Sequence, residues 1–401
     1  MAMTAIILAA GEGTRMKSRH PKVMHKLLDR PLVSWVTRAA RVAGADRIVV
    51  VVGNGAEEVR AHLAAETDVE CVEQAERLGT AHATRVAIEA AGIGEGPVVV
   101  LNGDLPLIEP ETIRAFAQSV SGGQHAAAIL TMTPPDPFGY GRIELAEDGS
   151  VTRIIEQKDC TPEQAAGLLE CNAGCYAFDG ALLAKYIGEV GNQNAQSEYY
   201  LPDMVEILRG HGYATTITHC EDYREGLGVN SRIQLAELSA LAQAKINEGL
   251  MASGVTMLDP KTVWVGPDVT VGRDTELLPM TMLWGSTSVG EGCVVGPNTR
   301  LTNCAVANDV TLEETVGTDV TIDDGVTCGP RAYLRGGAHV LEGAHIGTHV
   351  ELKNTVVGRG SKVPHLSYIG DCTMGDHVNI GGGSITCNYD GVHKSRTTIG
   401  D

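Results

Sequence analysis

Two cationic side chains accompany a loop of small residues near the start of the chain. The loop reads Leu8-Ala9-Ala10-Gly11-Glu12-Gly13-Thr14-Arg15-Met16, and Pro21-Lys22-Val23 follows it. Small residues let backbone N–H groups approach phosphate oxygens, and Arg15 and Lys22 supply the positive charge that phosphates need. Met16 stands where both the P-loop and the GxGxxG motif need a glycine, which argues against both motifs. The loop predicts a phosphate site of another kind, with a plain tight turn as the alternative.

A carboxylate occurs at a comparable place further along the chain. Asp104 lies in Asn102-Gly103-Asp104-Leu105-Pro106-Leu107, directly after the apolar run from Pro97 to Leu101. Mg²⁺ usually takes one or two protein oxygens and completes its octahedron with water and phosphate oxygens. Asp104 is therefore a candidate Mg²⁺ ligand beside bound phosphate. The alternative is a solvent-facing aspartate in a turn.

Short apolar runs and helical patterns alternate through the first part of the chain. Strand-like runs cover 4–8, 47–52, 97–101 and 126–132. Helical patterns cover 32–45, 56–65 and 80–91. Thr80 is the predicted N-cap of the third helix. This rhythm predicts βαβ units and a mainly parallel sheet. Because such sheets bind ligands at the carboxyl ends of their strands, we expect the glycine loop and Asp104 at one cleft.

A six-residue period replaces this rhythm beyond Thr256. Eight apolar residues stand at strict six-residue spacing: Val310, Val316, Ile322, Cys328, Leu334, Val340, Ile346 and Leu352. A repeat with one inward apolar side chain per short strand winds a parallel β-helix, whose handedness does not follow from the repeat itself. An ordinary antiparallel sandwich is the alternative.

A helical pattern without proline separates these two textures. It runs from Ser231 to Ala252 and carries a rough apolar stripe, with its one glycine, Gly249, near the end. We predict a first domain over residues 1–230, a linker helix over 231–253 and a β-helix domain over 254–401. The alternative is that this helix closes the first domain.

The composition narrows the choice of partners and compartment. The chain has 31 basic and 50 acidic side chains and a net charge of −19, which argues against nucleic acid and anionic membranes as partners. The ten cysteines form no CxxC pair, so we expect buried, reduced thiols and no zinc site. The N-terminal apolar run is too short for a signal peptide, and no stretch approaches the roughly 20 apolar residues of a membrane span. We therefore expect a cytoplasmic protein.

The first loop also resembles a known signature. The string LAAGEGTRM followed by PKV is similar to the signature of sugar-nucleotide pyrophosphorylases, nucleotidyltransferases with a Rossmann-like α/β domain. The resemblance implies that Arg15 and Lys22 are catalytic and hold the triphosphate and the attacking sugar phosphate. It also implies that Asp104 and Asn230 ligate Mg²⁺. The nucleotide- and sugar-binding residues that it implies are Leu8, Ala9, Ala10, Gly11, Lys22, Gln74, Gly79, Thr80, Asn102, Gly103, Asp104, Gly141, Glu156, Asn172 and Asn230.

Later segments extend this resemblance. Gln74 and Leu78-Gly79-Thr80-Ala81-His82 resemble the family's nucleobase-recognising segment, in which a glutamine can meet the donor and acceptor of uracil. Ala81 replaces the family's usual glycine. The segments that resemble the sugar-binding set and the second metal-ligand motif are Gly139-Tyr140-Gly141-Arg142, Glu156, Asn172 and Gly228-Val229-Asn230.

The resemblance covers the whole chain once the second half is included. The segments 360–371 (GSKVPHLSYIGD) and 379–391 (NIGGGSITCNYDG) are similar to the family of bifunctional N-acetylglucosamine-1-phosphate uridylyltransferases and glucosamine-1-phosphate N-acetyltransferases. The resemblance implies a left-handed β-helix and a homotrimer. It also implies small-molecule substrates: UTP, N-acetylglucosamine 1-phosphate, glucosamine 1-phosphate and acetyl-CoA.

The same resemblance assigns roles in the second half. His365 would accept the proton of the amine that attacks the acetyl-CoA thioester, and imidazole titrates in the right range for this. An exposed loop histidine is the alternative. The sugar-phosphate and substrate contacts implied are Arg335, Lys353, Tyr368, Asn379 and Lys394, and the acetyl-CoA contacts are Gly382, Asn388 and Tyr389.

The chain departs from the family in a few places. Gly336 stands where the family usually has proline, and Gly382 stands where it usually has alanine. The chain stops at Asp401 within a hexapeptide, whereas the family continues, so we expect uridylyl transfer to work and acetyl transfer to be weak or absent.

Two other functions stay open at this point. One is a monofunctional pyrophosphorylase whose β-helix only trimerises or regulates. The other is a non-catalytic trimeric scaffold or sugar-nucleotide-binding protein.

Overall fold

The computed structural model describes residues 2–146, 149–155, 157–194 and 197–401. The chain divides into two compact units, one up to Leu238 and one from Ser239. The boundary lies within helix Arg232–Ala252, which covers almost the whole segment predicted as a linker.

The first unit is built on one mixed sheet. Its nine strands are β1 Met3–Ala9, β2 Ala45–Val52, β3 Val69–Glu73, β4 Pro97–Asn102, β5 Ala127–Met132, β6 Arg142–Leu145, β7 Val151–Ile155, β8 Cys171–Asp179 and β9 Thr215–His219. The order is β9-β5-β8-β4-β1-β2-β3, with β6 beside β8 and β7 beside β6. Strands β4, β1, β2 and β3 are parallel neighbours, and β8 runs antiparallel to β4 and β5. The mainly parallel sheet predicted from the alternating pattern is therefore present.

Helices cover both sides of this sheet. The α-helices in the described part of the chain are α1 Leu32–Ala43, α2 Ala56–Leu63, α3 Thr80–Ala91, α4 Pro110–Ser119, α5 Pro162–Gly167, α6 Gly180–Tyr186, α7 Asp203–Gly210 and α8 Arg232–Ala252, of which α8 crosses the boundary between the two units. Successive residues of β1 face opposite sides, because Ile6 and Ile7 belong to different apolar clusters. The unit thus has three layers. No helix in the described part of the chain is long and apolar enough to cross a membrane.

The start of α3 differs from the prediction. Thr80 is the first helical residue, and Gly79 occupies the N-cap with φ of 112°. The Thr80 hydroxyl instead accepts a hydrogen bond from the Leu201 backbone N–H at 3.0 Å. A Cβ on Gly79 would lie 2.4 Å from the carbonyl oxygen of Tyr199, so a segment distant in sequence determines this helix start.

The second unit is a three-sided parallel β-helix. The first face holds Thr256–Met257, Glu276–Leu277, Val294–Val295, Thr311–Leu312, Thr327–Cys328, His345–Thr348 and Lys362–His365. The second face holds Trp264–Val265, Met282–Trp284, Arg300–Thr302, Val316–Thr318, Tyr333–Arg335, Glu351–Lys353 and Tyr368–Gly370. The third face holds Thr270–Val271, Ser288–Val289, Ala305–Val306, Thr321–Ile322, His339–Val340, Val356–Val357, Cys372–Met374 and Thr397–Ile399. Neighbouring strands in each face pair in parallel, which excludes the antiparallel sandwich.

Most of the predicted hexapeptide residues point inward, with one clear exception. Val316 is half-buried, and Gly317 takes the inward position between Leu301 and Leu334. A Cβ on Gly317 would lie 3.0 Å from Leu301 Cδ2, so the interior has little room there. The inward residue on the preceding strand is Leu312, so the step from it to Gly317 is five residues. The predicted six-residue series therefore falls on Val316, one residue before the inward position.

All ten cysteines are free, and seven of them are buried. Burial raises the pKa of the Cys175, Cys220 and Cys328 thiols to about 12. These thiols therefore stay protonated near neutral pH and act as small apolar side chains.

Candidate active site

A cleft of about 520 Å³ opens at the carboxyl ends of β1 and β4. The two strands are direct neighbours, and the Gly103 N–H donates to the Leu8 carbonyl oxygen at 2.9 Å. A Cβ on Gly103 would lie 3.0 Å from that oxygen, so glycine allows the two loops to approach. The residues that line the cleft are Leu8, Ala9, Ala10, Gly11, Glu12, Lys22, Val23, Gln74, Arg77, Gly79, Thr80, Ala83, Asn102, Asp104 and Glu198.

Lys22 joins two oxygen-bearing side chains at the floor of this cleft. Its Nζ donates to Asp104 Oδ2 at 2.6 Å and to Asn230 Oδ1 at 3.3 Å. The backbone near Asn230 is fixed to the same strand end, because the Val229 N–H donates to the Asp104 carbonyl oxygen at 3.0 Å. Two side-chain oxygens therefore point at one ammonium group. A hard metal cation can bind to the same two oxygens in its place.

Gln74 and Gly79 lie together on the other side of the cleft. The Gln74 amide nitrogen donates to the Gly79 carbonyl oxygen at 3.1 Å and lies 3.0 Å from His82 Nδ1. Gln74 is only 4% exposed, so these contacts hold its amide in one orientation. A buried, oriented amide suits recognition of a flat ring that carries both donors and acceptors.

A second pocket of about 350 Å³ adjoins the first and shares Lys22, Asn102 and Asp104 with it. Its other lining residues are Leu105, Gly139, Tyr140, Gly141, Asn172, Ala173, Gly174, Gly226, Gly228 and Asn230. Asn172 is buried, and its backbone N–H donates to the Gly141 carbonyl oxygen at 2.9 Å. The predicted contact Glu156 lies outside the described residues.

Arg15 is the predicted residue that the structure does not bring to this centre. It lies in the turn Thr14–Met16, is exposed, and is absent from the residues that line the two pockets. The preceding loop nevertheless packs on Lys22, because a Cβ on Gly13 would lie 2.6 Å from Lys22 Cβ. Lys22 and Asp104 therefore meet directly, whereas Arg15 stands further out on the same loop.

The second unit brings several predicted residues together around Asp371. Its carboxylate accepts from Asn354 Nδ2 at 2.7 Å, from Asn388 Nδ2 at 2.5 Å and from Lys353 Nζ at 3.5 Å. Asn388 Nδ2 also donates to the Tyr368 hydroxyl at 3.3 Å. Hydrogen bonds from Asn354 and Asn388 hold the pKa of Asp371 below its usual range.

The remaining predicted residues of this unit lie on neighbouring strands and the segment after them. Arg335 pairs in register with Lys353, and its guanidinium donates to Glu351 Oε1 at 2.8 Å. Exposed His365 lies near Gly382, where a Cβ would lie 3.5 Å from the histidine Cβ. Three more predicted residues, all exposed, are Asn379, Tyr389 and Lys394. The last two form a backbone bridge with each other.

Comparison with known proteins covers both units. The MobA-like NTP transferase domain family matches residues 5–148, a range that contains the glycine loop, Lys22 and Asp104. The bifunctional protein GlmU of Streptomyces coelicolor is 45% identical over 398 residues, covering 98% of this chain and 82% of that protein. The chain belongs to the GlmU family. GlmU of Corynebacterium aurimucosum is 43% identical and covers 99% of this chain and 82% of its own length. GlmU of Trichlorobacter lovleyi is 42% identical, and the match covers 99% of this chain and 86% of that protein.

GlmU membership agrees with the two architectures found here, an NTP transferase unit and a left-handed β-helix. In the described residues, no three His, Cys, Asp or Glu side chains gather as a metal site of their own. Asp104 Oδ2 and Asn230 Oδ1 both accept from Lys22 Nζ, and both residues line the second pocket.

Sequence reasoning missed several residues that the structure places at the sites. Asp371 ends the segment 360–371, and its residue type alone predicts no role, although its carboxylate connects Lys353 and Asn388. Glu12 and Arg77 line the first cleft and pair with each other. Their charges were visible in the sequence, but the pairing of two separate loops was not.

Proposed function

We propose that this GlmU family member makes UDP-N-acetylglucosamine in two steps. The second unit transfers an acetyl group from acetyl-CoA to the amine of glucosamine 1-phosphate. The first unit then transfers a uridylyl group from UTP to N-acetylglucosamine 1-phosphate and releases pyrophosphate. The observation that carries the uridylyl step is the convergence of Lys22, Asp104 and Asn230 at the junction of two adjoining pockets.

The first pocket holds the nucleotide in this proposal. Gln74 and Gly79 recognise the uracil ring, because a buried amide can match its neighbouring donor and acceptor. The loop from Leu8 to Gly11 lies against the phosphates, where small residues leave the backbone accessible. The second pocket, with Gly141 and Asn172, holds the sugar.

The reaction at phosphorus needs no covalent enzyme intermediate. An oxygen of the sugar 1-phosphate forms a bond to the α-phosphorus of UTP, and the bond from that phosphorus to the bridging oxygen of pyrophosphate breaks. Catalysis then consists of positioning and charge neutralisation. Lys22 stands between the two pockets, so its ammonium can contact both the incoming phosphate and the α-phosphate.

Asp104 and Asn230 are the proposed Mg²⁺ ligands. The two residues fit a hard cation, since both direct an oxygen at the same ammonium group. Bound Mg²⁺ would supply charge neutralisation of the triphosphate and of the leaving pyrophosphate. Lys22 would then exchange these oxygens for phosphate oxygens. Arg15, which is exposed on the glycine loop, is the proposed outer contact of the triphosphate.

The second unit carries the acetyl transfer. His365 accepts the proton of the attacking amine, nitrogen forms a bond to the thioester carbonyl carbon, and the thiolate of CoA leaves. Arg335 and Lys353 hold the sugar phosphate, supported by their adjacent positions in register. Tyr368 and Asn379 contact the sugar, and Gly382, Asn388 and Tyr389 contact acetyl-CoA.

We also propose a homotrimer formed through the β-helix, in which Lys394 reaches the site of a neighbouring subunit. The outward residues of the second face support a flat contact surface. Register partners on that face run in the order Tyr333, Glu351, Tyr368 and Ile385, and the apolar Tyr333 and Ile385 are exposed. Covering exposed apolar side chains favours association.

One crossed experiment tests both activities on the whole chain. Asp104→Asn and His365→Asn keep the approximate shape of each side chain but remove its charge or its ability to accept a proton. We measure pyrophosphate release from UTP and N-acetylglucosamine 1-phosphate, and acetyl-CoA consumption with glucosamine 1-phosphate. Each variant should lose about 100-fold or more in kcat/KM for its own reaction and keep the other within about twofold.

Each variant is therefore the control for the other. Near-normal pyrophosphate release by Asp104→Asn, or full acetyl transfer by His365→Asn, would contradict the role of that residue. Because the sequence predicts weak or absent acetyl transfer, the unchanged chain is first compared with a blank that contains no protein. Consumption of acetyl-CoA above the blank supports the two-step function, and pyrophosphate release without it supports a monofunctional pyrophosphorylase. EDTA should stop the first reaction and spare the second.

A further inference from the structure

The first cleft contains a second ion pair, separate from the pair formed by Lys22 and Asp104. Arg77 Nη1 donates to Glu12 Oε1, and both residues line the cleft that holds Lys22 and Asp104. Arg77 lies in the loop between β3 and α3, beside the segment proposed to bind uracil. Glu12 lies in the glycine loop proposed to bind phosphates. The pair therefore connects the two ends of the nucleotide cleft.

The charges that line this cleft are unfavourable for a polyanion. The described lining residues include two cations, and each is paired with a carboxylate: Lys22 with Asp104 and Arg77 with Glu12. Glu198 adds a third carboxylate. A nucleoside triphosphate must therefore replace a carboxylate partner of at least one cation before it gains full charge neutralisation.

The two pairs differ in how easily they can separate. The side chains of Lys22 and Asp104 are 18% and 12% exposed, whereas those of Arg77 and Glu12 are 45% and 54% exposed. Exposed ion pairs contribute little to stability, because water and salt screen them. Arg77 can thus exchange the Glu12 carboxylate for another anion at a low cost in free energy.

We propose that Arg77 is a nucleotide-binding residue whose guanidinium moves from the Glu12 carboxylate to a phosphate of the incoming nucleoside triphosphate, and that Glu12 weakens binding by competing for it. The proposal rests on the nucleotide-binding function proposed for this cleft. A guanidinium can form two parallel hydrogen bonds with a phosphate, which are stronger than an exposed pair with a carboxylate. The affinity for nucleotide then depends on the charge of Glu12, but only while Arg77 is present.

A double-mutant cycle on the whole chain tests this dependence. Isothermal titration calorimetry measures UTP binding in the presence of Mg²⁺ to the unchanged chain, Glu12→Gln, Arg77→Gln and the double variant. Glu12→Gln should tighten UTP binding about threefold to tenfold, and Arg77→Gln should weaken it by a similar factor. Glu12→Gln should have no further effect in the Arg77→Gln background, because the two changes are coupled.

Two controls separate this competition from simpler effects. Glu111→Gln removes the same charge from an exposed ion pair with Arg114 on α4, outside the residues that line the cleft, and should leave UTP affinity unchanged. Uridine carries no phosphate, so its affinity should be the same for all variants. Thermal unfolding checks that every variant is folded.

Several results would overturn the proposal. These are an unchanged UTP affinity in either single variant, a tightening by Glu12→Gln that persists without Arg77, or an equal weakening of uridine binding. Absence of UTP binding to the unchanged chain would contradict the proposed function itself, and this proposal with it.

Discussion

Asp371 illustrates how one side chain can organise a site whose other residues are far better marked in the sequence. It accepts hydrogen bonds from Asn354, Asn388 and Lys353, and its side chain is only 10% exposed. Asn388 in turn contacts Tyr368. Asp371 is therefore a positioning residue for three of the proposed substrate contacts. Its own role followed only from the folded geometry.

The lowered pKa of Asp371 predicts a pH dependence of stability. The hydrogen bonds from Asn354 and Asn388 favour the ionised carboxylate, so the stability that it contributes is complete above its usual pKa of 3.8. That stability is lost as the pH falls through the lower pKa of the folded state. Asp371→Asn should lower the free energy of unfolding by about 1 to 3 kcal/mol at neutral pH. It should also reduce the loss of stability on acidification below about pH 4.

Urea denaturation followed from neutral to acidic pH measures this difference. Asp274→Asn, in an exposed turn of the same unit, is the matched control and should leave the pH dependence as it is in the unchanged chain. Parallel pH curves for Asp371→Asn and the unchanged chain would mean that this carboxylate does not contribute.

At the level of elements, the β-helix shows both the strength and the limit of periodicity. From Ile322 to Leu352 the apolar residues at six-residue spacing are inward on successive faces. The six-residue spacing fails at the preceding strand, where it predicts Val316 as the inward residue but Gly317 occupies that position. A five-residue step there leaves the strand pairing intact, and only the neighbouring rungs reveal it.

Gly317 supplies a test of this packing. Gly317→Val would add volume beside Leu301, Cys304 and Val320, whose side-chain atoms lie 3.0 to 3.3 Å from the position of a Cβ. Overpacking should lower the free energy of unfolding by about 1 to 3 kcal/mol. Gly336→Ala, at an exposed site with no atom nearer than 3.8 Å, should change it by less than about 0.5 kcal/mol. Equal stability of the two variants in urea denaturation would contradict the proposed crowding.

The first unit shows the same division between local pattern and tertiary contact. The helices and the parallel strands around β1 agree with the alternating pattern within a few residues. The start of α3 does not, because the backbone near Tyr199 closes on Gly79 and the Leu201 N–H takes the hydroxyl of Thr80. Contacts between segments more than 100 residues apart cannot be inferred from a local window.

At the level of the whole molecule, the proposed homotrimer predicts a mass three times the 42.3 kDa of the chain. Light scattering measures this mass in solution. Tyr333→Glu places a charge on the proposed contact face and should shift the mass toward that of a single chain, because burying an unpaired carboxylate is costly. Leu258→Glu, at an exposed apolar residue that follows a first-face strand, is the control and should keep the trimer. A single-chain mass for the unchanged protein would contradict the trimer.

The amino-acid sequence by itself determined the two architectures, the glycine loop, and the identity of Lys22 and Asp104 as candidate phosphate and metal residues. These follow from local periodicity and from residue types, which act over a few positions. The tertiary structure alone decided which charges meet. Lys22 contacts Asp104 and Asn230 from 82 and 208 residues away, and Arg77 contacts Glu12 instead of standing free. Pairing of distant charges depends on how loops from separate strands converge, and no local pattern records that convergence.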